Sequence, residues 1–169
     1  HEKLSGRKLQ YFDVETKESY APYVVETSMG LDRMFMAVLS HAYAEEQLPP
    51  KDGTSGEEED ATERVVLKIS PQLAPVKAAV FPLVRKDGLP EIAKKIMDKL
   101  KVECNCQYEE KDTIGRRYRR QDAIGTPFCI TVDQQTKEDG SVTVRDRDTM
   151  KQERISAEAV GSYIYNRCN

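Results

Sequence analysis

The sequence has no tryptophan, two histidines and four cysteines in 169 residues, and these scarcities exclude several chemistries. A zinc site needs about four nitrogen or sulfur ligands within reach. Cys104 and Cys106 could supply half of one, but the histidines are only His1 and His41. No zinc centre and no Cys/His nucleophile are expected, and the thiols read as reduced packing residues. Four cysteines in a chain of this size make no disulfide framework, which points to a reducing, cytoplasmic setting. No stretch approaches the roughly 20 apolar residues of a membrane span. The opening residues His1 to Ser5 carry no apolar core of a signal peptide and no Met, so the chain is expected to be cut from a longer one. Charge of neither sign dominates: 26 Lys+Arg stand against 29 Asp+Glu, net −3. With 38% hydrophobic residues, that balance suits a folded domain rather than a disordered tail. Neither Gly-rich phosphate-loop pattern occurs, and no organic cofactor is implied.

What is present falls into two parts. Tyr11-Phe12-Asp13 and Tyr23-Val24-Val25 are β-rich runs joined by the polar stretch 15–18, which reads as a hairpin. Glu26-Thr27-Ser28-Met29-Gly30 follows, then Leu31, Met34, Phe35, Val38, Leu39 and Ala42 recur at helical spacing. That spacing predicts an amphipathic helix ending near Leu48-Pro49-Pro50. Residues 51–70 carry the acidic run Glu57-Glu58-Glu59-Asp60 and read as a linker.

From residue 71 onward, strands and helices alternate. The apolar run within 76–84 suits a buried central strand, and Ile92, Ala93, Ile96, Met97 and Leu100 mark a helix. Strands are expected at 102–108, 128–132, 142–144 and 151–155. Thr113 caps a helix stopped by Gly125 and Pro127, and Ser156 caps a last one. Repeated β-α-β units imply an α/β fold. It is a small mixed, mostly parallel sheet flanked by helices, preceded by a strand-hairpin-plus-helix fragment.

The strand–turn–helix junction at 26–30 has the outline of a nucleophile elbow but fails as one. Its first Gly is replaced by Glu26, and His41 lies on the next helix with no acidic partner ahead of it in the required order. The stretch from Pro22 to Arg33, with Glu26-x-Ser28-x-Gly30-x-Asp32-Arg33, instead resembles motif 3 of the class II aminoacyl-tRNA synthetases, specifically the dimeric glycyl type. Thr27 departs from it where that family usually has Pro. The second part agrees independently. Residues 73–83, Arg116-Arg117-Tyr118-Arg119-Arg120, Ile124 to Phe128, and the 140–148 segment with Val144-Arg145-Asp146-Arg147 resemble the class II anticodon-binding domain.

This resemblance implies residues 1–50 as the C-terminal fragment of a class II catalytic domain, 51–70 as linker and 71–169 as the anticodon-binding domain. It implies ATP with Mg²⁺, glycine and tRNA(Gly) as substrates, and a homodimeric parent enzyme. Arg33 matches the arginine that clamps the γ-phosphate of ATP; a guanidinium offers phosphate two parallel donors. Glu26 matches the carboxylate associated with ATP and its Mg²⁺, a hard cation that prefers oxygen. Ser28 matches the serine of the glycine pocket, and Asp32 serves to orient Arg33 or cap its helix. Motifs 1 and 2 are not in these residues, so the fragment alone is expected to be inactive.

Arg116, Arg117, Arg119 and Arg120 share about one and a half helical turns and are expected to contact tRNA phosphates, while Tyr118, on one helix face with Ile114, is expected in the core. Arg145 and Arg147 fall on one parity of a strand, opposite to Val142 and Val144. They are expected on a polar face, reading the cytosines that glycine anticodons share at their last two positions. Two other readings compete: a non-catalytic nucleic-acid-binding relative such as a mitochondrial DNA polymerase accessory subunit, and a free-standing metabolite-binding α/β domain.

Overall fold

The computed structural model describes residues 1–47 and 63–168. The acidic run 57–60, and with it most of the expected linker, lies outside the described residues. The chain divides into two compact units, His1–Met34 and Phe35–Asn169.

The first unit is mostly exposed. A single-turn helix, α1 (Glu2–Ser5), ends on Gly6. β1 (Tyr11–Phe12) pairs antiparallel with β2 (Ser19–Tyr20). The expected hairpin exists, but its second strand precedes the predicted one. Asp13 closes the turn: its carboxylate accepts from the Glu15 and Thr16 amides, and its own amide donates to Glu18 O. These backbone hydrogen bonds hold the Asp13 carboxyl below the usual carboxylate range. The Tyr23-Val24-Val25 run, expected as a strand, has no regular structure, and each of its side chains is at least 80% exposed. A strand is stable only with a partner, and no described residue pairs with it.

Helix α2 (Leu31–Ala42) opens with Asp32 in its first turn and with the Met34 amide donating to Gly30 O. It stops well short of the Leu48-Pro49-Pro50 end that its sequence predicts. The chain continues as β3 (Tyr43–Gln47), antiparallel to β4 (Glu63–Leu67). In both strands burial alternates residue by residue. Residues 63–67, assigned to a linker from sequence, therefore form a strand, followed by Ile69, which packs with Ala42 and Ala74. Pairing with a remote segment overrides the local helical tendency of 43–47.

The remaining elements form a five-stranded sheet in the order β6-β5-β7-β8-β9. They are β5 (Ala78–Pro82), α3 (Leu89–Leu100), β6 (Cys106–Tyr108), α4 (Ile114–Ile124), β7 (Phe128–Val132), α5 (Gln134–Asp139), β8 (Ser141–Asp146), β9 (Gln152–Ser156) and α6 (Val160–Cys168). Every residue of β5 and β7 is buried. β5 is parallel to β6 and to β7, whereas β7–β8 and β8–β9 are antiparallel. The sheet is mixed, parallel in one half and antiparallel in the other.

Two crossovers run in opposite directions along the sheet, so right-handedness puts α3 and α4 on opposite faces. The main core lies on the α3 and α6 face, where Val80, Ile130 and Val144 meet Leu89, Ile96, Val160 and Ile164. On the other face Ala79, Phe81 and Cys129 pack with Ile114 and Tyr118 of α4. Tyr118 is a core residue as expected, edge-on to Phe81 with its hydroxyl 2.7 Å from Thr131 Oγ1.

The sequence pattern at 139–140 predicts a plain hairpin turn and no helix before it, whereas α5 forms there. Asp133 and Thr136 form a reciprocal capping box and Gly140 ends the helix in the left-handed region, so a hairpin-like sequence closes into a short helix.

Candidate nucleic-acid interface

Which arginines face solvent follows from what covers the sheet. β8 alternates: Val142 and Val144 enter the main core, so Arg145 points to the opposite face. That face is roofed by α4 rather than open. Arg145 is 6% exposed, and its Nη1 and Nη2 donate to the two oxygens of Asp122, at 2.8 and 3.0 Å. Its guanidinium also lies over the Tyr118 ring, 4.8 Å from the centroid. Arg147 lies past the end of β8 and is 2% exposed. It donates to Gly125 O and Ile69 O at 2.7 and 2.8 Å and pairs with Asp148. The expected exposed, base-reading face for Arg145 and Arg147 is thus not what the structure has. Parity along a strand tells which side chains share a face, not whether a helix covers it.

Asp122 is the hub of this interior. It is fully buried and accepts from Arg64 Nε at 2.9 Å as well as from Arg145. Arg64 continues to Glu46 at 2.9 Å and to the carbonyl of Arg147. Charges from β4, α4 and β8 thereby compensate one another where unpaired ones would be prohibitive. The composition hid this cluster, because its members are scattered from 46 to 148 and read singly as surface charges.

The expected phosphate-binding helix divides in the same way. Arg117 is 3% exposed. Its Nη1 donates to Pro82 O at 2.6 Å and its Nε and Nη2 to Asp112 O, so it ties the start of α4 to the end of β5. Burial pulls its pKa below the usual arginine range. Arg119 is half-buried against the Glu63 carbonyl. Arg116 and Arg120 are exposed. Arg120 pairs with Glu109 at 2.5 Å and with Asp112 at 2.8 Å. These bonds raise its pKa, the Glu109 bond foremost, while the Arg120 hydrogen bond lowers that of Asp112.

Arg116, Arg117 and Arg120 meet at the carboxyl ends of β5 and β6, where the chain departs to opposite sides through α3 and α4. Open α/β sheets bind ligands at such a switch point. The sequence motifs left out the other cations there, Arg85 and Lys86, in the exposed segment after β5. The signal was available: a short basic stretch directly following the most apolar strand. Arg85 Nε donates to Glu110 O at 2.5 Å, joining the two loops that rim the crevice. Leu83 and Val84 are about two-fifths exposed beside it. A cavity of about 310 Å³ exists at the opposite ends of β5 and β6, lined by Lys77, Cys104, Asn105 and Cys168 among others. Burial pushes the Cys104 thiol there up to about 11, which disfavours a metal-binding thiolate. Among the described residues no cluster of three metal-ligating side chains occurs.

In the first unit, Glu26, Ser28 and Arg33 are all exposed. They are brought together only by their closeness along the chain; among the described residues no hydrogen bond or ion pair joins them. Arg33 sits in the first turn of α2. No helix among the described residues is long and apolar enough to cross a membrane.

The fold and the crevice together define a small doubly wound α/β module whose open end is rimmed by Arg85, Lys86, Arg116 and Arg120 interleaved with Glu109, Glu110 and Asp112. The chain belongs to the anticodon binding domain family, which it matches over residues 77–167. It is 48% identical over 163 residues to a glycine–tRNA ligase of Rhodopirellula baltica, covering 96% of this chain and 29% of that protein. Glycine–tRNA ligases of Thermobifida fusca and Chlorobaculum tepidum are 48% and 47% identical, over 99% and 97% of this chain and 35% and 33% of their own lengths. The chain thus spans about a third of the relatives it matches.

Proposed function

We propose that this chain is the C-terminal part of a glycine–tRNA ligase and that residues 71–169 bind the anticodon of tRNA(Gly). The observation that carries this reading is similarity along nearly the whole chain to glycine–tRNA ligases, coupled with the match of residues 77–167 to the anticodon binding domain family. Arg116, with Arg85 and Lys86, supplies the phosphate contacts. Arg117, Arg145 and Arg147 hold the scaffold beneath them.

In the parent enzyme, a homodimer, the glycine carboxylate attacks the α-phosphate of ATP, and the glycyl group of the resulting adenylate passes to the tRNA 3′ end. Arg33 would hold the γ-phosphate, Glu26 the Mg²⁺-bound nucleotide and Ser28 the amino acid. Catalysis here is positioning and charge stabilisation, with no protein nucleophile.

Titration of the chain with tRNA and with duplex DNA at two salt concentrations tests the RNA reading. tRNA should bind more tightly, with log Kd rising by about 0.7 for each phosphate contact per tenfold increase in salt. A preference for duplex DNA would favour the DNA polymerase accessory reading instead. The chain alone should show no ATP–pyrophosphate exchange above background, because the residues that grip the α-phosphate lie in motif 2. Clear exchange would refute this division of roles.

A further inference from the structure

The crevice holds a more specific device than a field of positive charge. Arg120 is 42% exposed at its side chain and Glu109 22%, open enough to meet a base and enclosed enough to be held. The hold is extensive. The Glu109 amide donates to Val80 O, extending the β5–β6 ladder by one bond. Arg85 donates to the carbonyl of Glu110 and Arg117 to that of Asp112. Asp112 itself adopts a left-handed conformation, φ 64°. On the guanidinium side, Arg120 Nη2 also donates to Lys111 O at 3.1 Å, and Nη1 to Asp112. The ion pair is therefore oriented before any ligand arrives.

A carboxylate beside a guanidinium presents an acceptor next to donors. That is the order of groups on the pairing edge of guanine, O6 then N1–H and N2–H. Its complement is cytosine, which offers the N4 amino donor and then the N3 and O2 acceptors. Uracil reverses the first two groups. A glutamate accepting from cytosine N4 is an established mode of base readout, and unstacked loop bases expose this edge. One bond to Arg120 leaves Glu109 most of the roughly four acceptor positions of a carboxylate.

We propose that Glu109, oriented by Arg120, is a specificity-determining residue that accepts from the N4 amino group of an unpaired anticodon cytosine. This inference rests on the anticodon-binding reading above, and its test separates the two. The full 169-residue chain is titrated with two RNA stem–loops. One carries cytosine at the last two anticodon positions; in the other a single one of these is uracil.

The wild type should prefer the cytosine form by roughly tenfold or more, the value of one good base contact. Glu109→Gln, whose amide can donate as readily as accept, should abolish that preference by weakening the cytosine form and strengthening the uracil form, whose O4 can accept from it. Glu109→Asp, which keeps the charge but withdraws it, should reduce the preference partway. Arg116→Ala should weaken both RNAs equally and leave their ratio intact. A wild-type ratio retained in Glu109→Gln overturns the role of Glu109 alone. Binding of neither stem–loop above duplex DNA by the wild type overturns the anticodon reading itself. A thermal melt of each variant confirms that the comparison is between folded proteins.

Discussion

Asp122→Ala should lower the unfolding free energy by about 3–5 kcal/mol, the cost of stripping a buried ion pair of one member. Asp122 has no solvent exposure, and its two partners are 0% and 7% exposed at their side chains. Truncation leaves both guanidinium groups facing an empty space: Arg64 keeps Glu46 and the Arg147 carbonyl, but Arg145 loses the carboxylate that neutralises it. Urea titration followed by circular dichroism reads the effect as a fall in midpoint at constant slope. A loss below about 1 kcal/mol would mean that water or a neighbouring acid repairs the cluster. Replacing Arg64, Asp122 and Arg145 together with apolar residues of similar volume should cost far less than the single change. What the fold cannot tolerate is the unpaired charge, not the absence of the bridge. Tertiary organisation should also suffer locally, because Arg64 is the ionic link between the β3–β4 ribbon and α4.

Gly125→Ala is expected to be nearly as damaging for a different reason. Gly125 ends α4 at φ +83°, a conformation that L side chains resist. A methyl group there would stand 2.8 Å from Ile69 Cγ2 and 3.1 Å from Leu67 O. A side chain can rotate away, but the Leu67 carbonyl belongs to the end of β4 and cannot. Strain and overpacking together should cost roughly 2–4 kcal/mol. Gly140→Ala supplies the control: it has φ +70° and nothing within 4 Å of the added carbon. It should lose only the left-handed penalty, about 1–2 kcal/mol. Equal losses at the two positions would show that the contact with the ribbon contributes nothing.

Both changes act where residues far apart in sequence meet, and there local patterns carry no signal. The β3–β4 ribbon joins segments on either side of the 48–62 stretch, and nothing within 43–47 announces a strand. Arg64 and Asp122 are 58 residues apart. Arginine at 117, 145 and 147 looked like nucleic-acid contacts because arginine usually acts at surfaces. In this fold those three are enclosed, and the exposed positions fall to Arg85, Lys86, Arg116 and Arg120. Tyr118 is enclosed as well, on the inward face that its helical neighbour Ile114 marks.

Short-range physics was enough to write the local plan of this protein. The unbroken apolar run of β5, the 3.6-residue stripes of α2 and α3, and the Thr113 and Gly125 boundaries of α4 are all decided by neighbours within a few positions. So is the junction at 26–33, with its likeness to a synthetase motif. Only the tertiary structure decided which charges lie inside and which meet a ligand. A charged side chain has no preference that its own neighbours in sequence can express; its place depends on whether a remote partner arrives to compensate it. Asp122 receives two such partners and becomes core, whereas Glu109 and Arg120 meet at an open crevice and keep their capacity to bind.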